Sequence, residues 1–365
     1  MANTDFDLIR MREQEDYEDI SSNYTDISSS SPKEKKKRKK KHFLAKFISF
    51  LLVLTVALGT AFFAFSYRLI ESIPREDLDN EDLGISSSDY DEVKNIALLG
   101  IDARSDTDVG RSDAVVILTV DKKHNKIKLT SIARDSYVSI DGHKKDKLTH
   151  AYAYGKSQLA VKTLNQNFGL EITDYVTMNF FEFVSIIDYI GGVTIDVDEK
   201  ELREMNTNII PYLSEMGIEG KLLEKSGVQL LDGAQALCYA RIRHIDSDIK
   251  RGNRQKEVLT AMFQSAVNTE ITKLPNIAKM VLSKCRTSLE TKDIISMGLW
   301  AVTSSPEFEQ LSIPNDNVKS SGKIISGKWC YVLDLDAAKK DIYDFIYEIN
   351  FYSPEAKAQR EENEE

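Results

Sequence analysis

The sequence predicts an α/β fold, a central mixed sheet covered by helices, preceded by one transmembrane helix. Three observations predict it. Short apolar strands alternate with amphipathic helices from residue 94 onward. A single uncharged apolar run occupies Phe47 to Tyr67. A basic cluster, Lys33 to Lys41 interrupted only by Glu34, stands just before that run.

Composition sets the outer limits. A chain of 365 residues that is 42% hydrophobic and 29% charged can bury a substantial core. Its formal charge of −10 argues against general nucleic-acid affinity, which depends on neutralising phosphates with Lys and Arg. Cys238, Cys285 and Cys330 are far apart and odd in number, so neither a disulfide framework nor a CxxC metal knuckle is expected. Buried small apolar side chains are the expectation for them.

Taken in order, residues 1–32 are polar and acidic and lack the apolar periodicity that would offset the entropy of ordering. With the basic cluster they form a cytoplasmic tail, 1–42. Residues 43–67 are the expected transmembrane helix, since the apolar run at ~1.5 Å per residue spans roughly the ~30 Å hydrocarbon layer. The run is longer than the apolar stretch of a secretory signal and offers no small-x-small cleavage site, which disfavours that rival. Lysines on its N-terminal flank place the N-terminus inside and everything after Tyr67 outside the cell.

Residues 68–93, acidic and Ser-containing, read as a linker or loosely packed first element, and 94–350 as the extracytoplasmic catalytic domain. Its strands are expected at 93–100, 114–121, 126–132 and 193–197, the second and third joined by a hairpin at 121–125. Helices are expected at 157–168 and 179–190, the latter stopped by Gly191-Gly192, then a long amphipathic helix from Asp248 and a terminal helix over 343–350. Residues 270–350 carry further helix and strand signals without a motif. Residues 351–365 form a charged tail.

The chemistry is suggested by Arg and Asp recurring together at element ends. These are Asp102-Ala-Arg104, Arg111-Ser-Asp113, Arg134-Asp135, and the stretch containing Arg241, Arg243, Asp246, Arg251, Arg254 and Gln255. Surface ion pairs are the bland explanation, and they contribute little. Four groups at element ends, built with Arg, point instead to gripping phosphate oxygens with planar forks. The carboxylates suit a hard divalent cation such as Mg2+, which is held by one or two carboxylates plus substrate phosphates and needs no His or Cys cluster. There is no GxSxG elbow, Walker A loop or HExxH. Phosphoryl transfer requires no protein nucleophile, because positioning and charge stabilisation supply most of the catalysis.

In order and spacing, Leu98 to Arg104, Gly110 to Asp113, Ser131 to Asp135, Lys147 to Tyr152, Gly191 to Val193, Leu231 to Gly233, Ala236 to Arg243 and Arg251 to Gln255 resemble the LytR-CpsA-Psr family. The resemblance implies an apolar lipid-binding groove with a charged mouth. It also implies a phosphotransferase that attaches an undecaprenyl-pyrophosphate-linked glycopolymer, such as a teichoic acid or capsular polysaccharide, to peptidoglycan, using magnesium. The implied partners are the polyprenyl-pyrophosphate-linked glycan donor, the peptidoglycan acceptor and the membrane. Carried over by motif, Asp102 and Asp113 would be metal-associated. Arg134, Arg241, Arg243 and Asp135 would be catalytic; Arg104, Arg111, Lys147, Arg251, Arg254 and Gln255 would bind substrate. Asp135 is a candidate base for the acceptor hydroxyl, although a carboxylate next to an arginine is more often held ionised as its structural partner. Phe180, Phe181, Phe183, Ile186 and Ile187 offer either a lipid-facing wall or ordinary helix core.

Ala133 stands where the family commonly has Pro, and Thr149 where it commonly has Asn, which weakens Lys147 as a site residue. Two rival functions share the same features: a polyprenyl-pyrophosphate hydrolase, and a membrane-bound regulator or transcriptional attenuator.

Overall fold

The computed structural model of the chain describes residues 33–72, 75–85, 92–102, 110–243, 245–267 and 272–353. It divides into two units, residues 1–64 and 65–365. The described structure of the first unit is a single helix, α1 (Lys33–Glu71), whose last residues belong to the second. Its stretch Leu51–Glu71, 21 residues, is long and apolar enough to cross a membrane. Leu52, Val53 and Leu58 leave 62% of their surface exposed, unlike the core helices of a soluble domain.

The second unit is organised by a six-stranded sheet. Its strands are β1 (Val93–Ile101), β2 (Ser112–Asp121), β3 (Lys126–Ile132), β6 (Ile172–Asn179), β9 (Arg286–Thr287) and β10 (Glu307–Ile313), in the spatial order β10-β3-β2-β1-β6-β9. β1 with β2, β2 with β3 and β6 with β9 run antiparallel; β1 with β6 and β3 with β10 run parallel. The sheet is therefore mixed, and β2 and β3 form the expected hairpin. β1 and β2 are near-continuous Val, Ile, Leu and Ala because helices cover both faces.

Alternation sorts the side chains. Ala97, Leu99, Val115 and Ile117 pack beneath α2 (Leu148–Phe168) and α10 (Leu335–Tyr347). Ile96, Leu98, Val116 and Leu118 face α7 (Asp248–Val267) and α9 (Thr291–Ser304). A separate cluster joins α3 (Phe180–Tyr189), α5 (Ile210–Glu215) and α6 (Gly233–Arg241) to the ribbon of β7 (Val193–Val197) and β8 (Gly227–Leu231). α4 (Glu199–Glu204) leads into that cluster and α8 (Leu274–Ser283) precedes β9. Two small ribbons complete the unit: β4 (Tyr137–Val138) with β5 (Asp146–Lys147), and β11 (Ser320–Ile325) with β12 (Lys328–Leu333).

Three expectations need correction. The helix expected from residue 157 begins at Leu148, but its backbone leaves helical geometry at Gly155 and Lys156, so 157 marks its second, uninterrupted part. The terminal helix is Leu335–Tyr347, started by Asp334 accepting from Ala337 N and stopped by Glu348 in the left-handed region, rather than 343–350. The segment expected as a linker packs firmly across 75–85. Leu83 is fully buried, its carbonyl accepts from Asn165 Nδ2 at 3.0 Å, and Gln158 Nε2 donates to the carbonyls of Asp79 and Asp82. All three cysteines are unpaired, with Cys238 and Cys330 buried as expected and Cys285 half-buried.

Candidate functional site

Strand direction assembles the site. The ends of β1, β3, β6 and β10 and the start of β2 fall at one rim of the sheet, because β2 alone among these five runs the other way. That rim carries Asp102, Asp113 and Arg134-Asp135, and α3 starts there at Asn179. Asx capping fixes this last turn: Asn179 Oδ1 accepts from Glu182 N and Glu182 returns the bond to Asn179 N.

A charged cavity opens between this rim and α7, lined among others by Asp113, Ser131, Arg134, Arg251, Gln255 and Ser312. Arg134 Nη1 lies 2.5 Å from Asp113 Oδ1, and its Nε lies 3.6 Å from Asp135 Oδ2. Lys147 Nζ donates to Asp135 Oδ1 at 2.7 Å. Backbone bonds lock the two loops together: Thr149 N donates to Arg134 O at 3.0 Å and Leu148 N to Ser136 O at 2.8 Å. From the opposite wall, Arg251 Nη2 reaches Asp113 O at 3.4 Å. Gly252 permits this closeness, since a Cβ there would stand 3.3 Å from Ser131 Oγ.

An apolar cavity of about 100 Å³ lies alongside. Leu98, Gly100, Ala114 and Val116 form its floor, Phe180, Phe183, Leu237 and Leu259 its walls. Arg251, Gln255 and Leu259 recur every four residues on one face of α7, so Gln255 lines both cavities. Arg241 stands in the same wall with its guanidinium 4.2 Å from the Phe180 ring centre and 5.8 Å from that of Tyr212. α6 is held against α3 by a backbone approach that only glycine allows, for a Cβ on Gly233 would fall 2.2 Å from Val184 O. The volume is below the roughly 150 Å³ that admits a benzene ring.

The structure thus brings Asp113, Arg134, Asp135, Lys147, Arg251 and Gln255 together, with Arg241 in the adjoining wall. Asp102 is half-buried, its N–H bonded to Arg111 O at 3.0 Å across the strand ends. Arg111 and Arg243 are exposed. Arg104 and His244 lie outside the described residues. Arg254 does not line either cavity. It is 6% exposed, its Nε donates to Glu201 at 2.7 Å, its Nη1 to Asp246 at 3.2 Å, and its Nη2 is also paired with Asp246. It ties Asp246, just before α7, to α4, and these carboxylates raise its pKa against the opposing effect of burial.

Phe180 and Phe183 line the cavity, whereas Ile186 and Ile187 are core and Phe181 is 40% exposed. Ser131 opens the Ser131-to-Asp135 motif but is not singled out by it as a site residue, and sequence reasoning missed Ser312 and Lys256 altogether. Lys256 Nζ donates to Leu311 O at 2.8 Å and Ser312 Oγ at 2.6 Å, and burial pushes its pKa down to about 8. A long-range contact between α7 and β10 leaves no local signal for these residues.

Asp102 and Asp113 offer hard oxygen donors at neighbouring strand ends, a donor set of the kind magnesium takes. Another acidic group, Asp121, His124 and Glu348, lies within mutual ligand distance at the far end of β2. Lys128 Nζ already stands 2.7 Å from Asp121 Oδ2 and 3.0 Å from Glu348 Oε1, supplying the positive charge.

A model of the LytR_cpsA_psr family matches residues 66–343. The chain is 33% identical over 234 residues, 62% of its length and 70% of the relative's, to the polyisoprenyl-teichoic acid–peptidoglycan teichoic acid transferase TagT of Bacillus subtilis. It is 32% identical over 250 residues, 66% of its length and 75% of the relative's, to the TagU transferase of the same description from Halalkalibacterium halodurans. Among solved structures it resembles the LytR-CPS2A-psr family protein YwtF (TagT) with bound octaprenyl pyrophosphate lipid. That match has a TM-score of 0.54 at 28% identity and covers 70% of this chain and 91% of the other.

Proposed function

We propose, because this chain belongs to the LytR-CpsA-Psr family, that it transfers a polyprenyl-pyrophosphate-linked glycopolymer to peptidoglycan on the outer face of the plasma membrane. The observation that carries the reading is the shared wall at Gln255, where a charged cavity with Arg134 and Arg251 adjoins an apolar one. A lipid diphosphate has the same two halves. The relatives named as teichoic acid transferases, and the neighbour holding octaprenyl pyrophosphate, support that choice of substrate class.

Arg134 and Arg251 grip the diphosphate oxygens, and Asp113 holds the Arg134 fork at its angle. Gln255 stands at the junction of diphosphate and tail; Arg241, stacked on Phe180, meets the lipid-side phosphate. Asp102 and Asp113 would hold magnesium, which supplies neutralisation of developing negative charge. An acceptor hydroxyl then attacks the glycan-bearing phosphorus in line. The new P–O bond forms as the bond to the lipid phosphate breaks, with the arginines stabilising the added charge. Arg254 acts by positioning Ile242, the residue before Arg243, through its Nη1 bond to the Ile242 carbonyl at 3.4 Å. The basic cluster that opens α1 places the N-terminal tail inside, and protease added outside intact cells should cleave only beyond Tyr67.

The test is incubation of the full chain with a polyprenyl-pyrophosphate oligosaccharide, magnesium and peptidoglycan. Polymer covalently joined to peptidoglycan supports the proposal. Free polymer phosphate as the dominant product selects hydrolysis, and no product where a related transferase is active contradicts both.

A further inference from the structure

We propose that the face formed by the β11–β12 hairpin and the segment around Asp146 binds the acceptor, a carboxylate-bearing glycan strand. This rests on the transfer reading above and adds where the second substrate sits.

Trp329 and Tyr331 are two apart on β12 and share a face, their rings 4.4 Å apart and edge-on. The indole of Trp329 lies over Gly322 of β11, where a Cβ would approach it to 3.0 Å, and the side chain is still 42% exposed. A second aromatic pair stands nearby: His143 stacks on Tyr154 at 4.4 Å, and Tyr154 is 45% exposed. Asp146 ties the second pair to the hairpin, its Oδ2 accepting from Tyr154 Oη at 2.7 Å and from Lys328 Nζ, next to Trp329 in sequence, at 3.4 Å, with His150 Nδ1 2.8 Å from the same oxygen. The hairpin is fastened to the charged mouth itself, because Tyr331 N donates to Asp135 O at 2.9 Å.

Direction of attack decides what this face is for. The apolar cavity meets the mouth from the Gln255 side, between β1, β2, α3, α6 and α7. The aromatic face meets it from the Asp135–Lys147 side. In-line substitution sets nucleophile and leaving group on opposite sides of the phosphorus. With the lipid phosphate leaving toward the apolar cavity, the acceptor hydroxyl arrives past Asp135. Its oxygen bonds to phosphorus, the bond to the lipid phosphate breaks, and the hydroxyl proton passes to solvent.

The chemistry of the face fits sugar rings. Apolar ring faces pack on Trp329 and Tyr154, hydroxyls bond to His143, and exposed Lys144 and Lys145 attract carboxylates. Exposed Trp with flanking lysines also suits a membrane interface. Asp146 favours the glycan, since it sits at the centre of the face and hydrogen bonds hold it ionised against burial, where an anionic lipid surface repels it.

The experiment compares the tryptophan fluorescence of the full chain in nanodiscs with that of the Trp329→Leu variant, leaving Trp300 as background. Soluble un-crosslinked peptidoglycan strands should change the wild-type signal saturably and leave the variant's unaltered. No change with glycan, or a change only on replacing neutral nanodisc lipid with anionic lipid, overturns the proposal. In transfer assays, Trp329→Ala should raise the acceptor KM about tenfold with the rate recovered at saturating acceptor; an unaltered KM overturns it. The fluorescence arm needs no donor. A wild type that never turns over the donor therefore contradicts the transfer reading alone, while donor turnover without a glycan response contradicts this inference alone.

Discussion

The two ends of β2 hold two charged clusters built from similar residues to opposite effect. At its start, Asp113 meets Arg134 with 24% and 15% of their side chains exposed, beside a cavity and a second arginine. At its end, Asp121 meets Lys128 with neither side chain exposed at all, beneath the carbonyl of Ile346. The first cluster leaves guanidinium surface facing a space; the second closes on itself and pins α10 to the hairpin. Charges assembled around a cavity bind something, whereas charges sealed from water hold elements together.

The largest expected effect breaks the first cluster. Arg134→Ala or Arg251→Ala should lower the transfer rate about 100- to 1000-fold with Tm retained, measured by peptidoglycan coupling and calorimetry. Lys128→Met should do the reverse. It leaves Asp121 buried without its ammonium and should cost about 3–5 kcal/mol in denaturant titration. Arg254→Ala, only three residues from Arg251, should behave like Lys128→Met first and lose activity second, because Glu201 and Asp246 lose their partner.

A smaller effect is read against pH. Burial pushes the Glu171 carboxyl up to about 7, with a hydrogen bond from Tyr347 opposing. The folded state thus binds the proton more tightly than the unfolded one. The associated stability is complete below about 4.5 and is lost as pH rises through about 7. Glu171→Gln should flatten that part of the Tm profile. The smallest concerns Thr149, whose buried Oγ1 has no hydrogen-bond partner among the described residues. Thr149→Val should leave the unfolding free energy within about 1 kcal/mol of wild type or higher, and should leave coupling intact.

Much of this was legible in the sequence because the signals are local. Strands β1, β2 and β3 lie within two residues of where alternation put them, and Asn179 and Asp232 start their helices as capping residues should. Asp113, Arg134 and Asp135 come together because strand ends come together at one rim, whereas Arg254 is drawn away from it. What stayed hidden depends on distant pairing. Arg251 and Arg254 are indistinguishable by type, and Glu201, more than fifty positions away, joins Asp246 in holding Arg254 off the cavity. The same holds for Ser312 and Lys256, and for the edge strands β9 and β10, which pair only with remote partners. Narrowness of the apolar cavity is likewise a packing outcome that no motif encodes.

The most direct measurement is calorimetric titration of the full chain in nanodiscs with polyprenyl diphosphate and, separately, polyprenyl monophosphate. Wild type should prefer the diphosphate at least about tenfold, roughly 1.4 kcal/mol, and the preference should vanish in Arg134→Ala and Arg251→Ala. Equal affinity for the two lipids, or a preference that survives both substitutions, would contradict a diphosphate held between those two arginines.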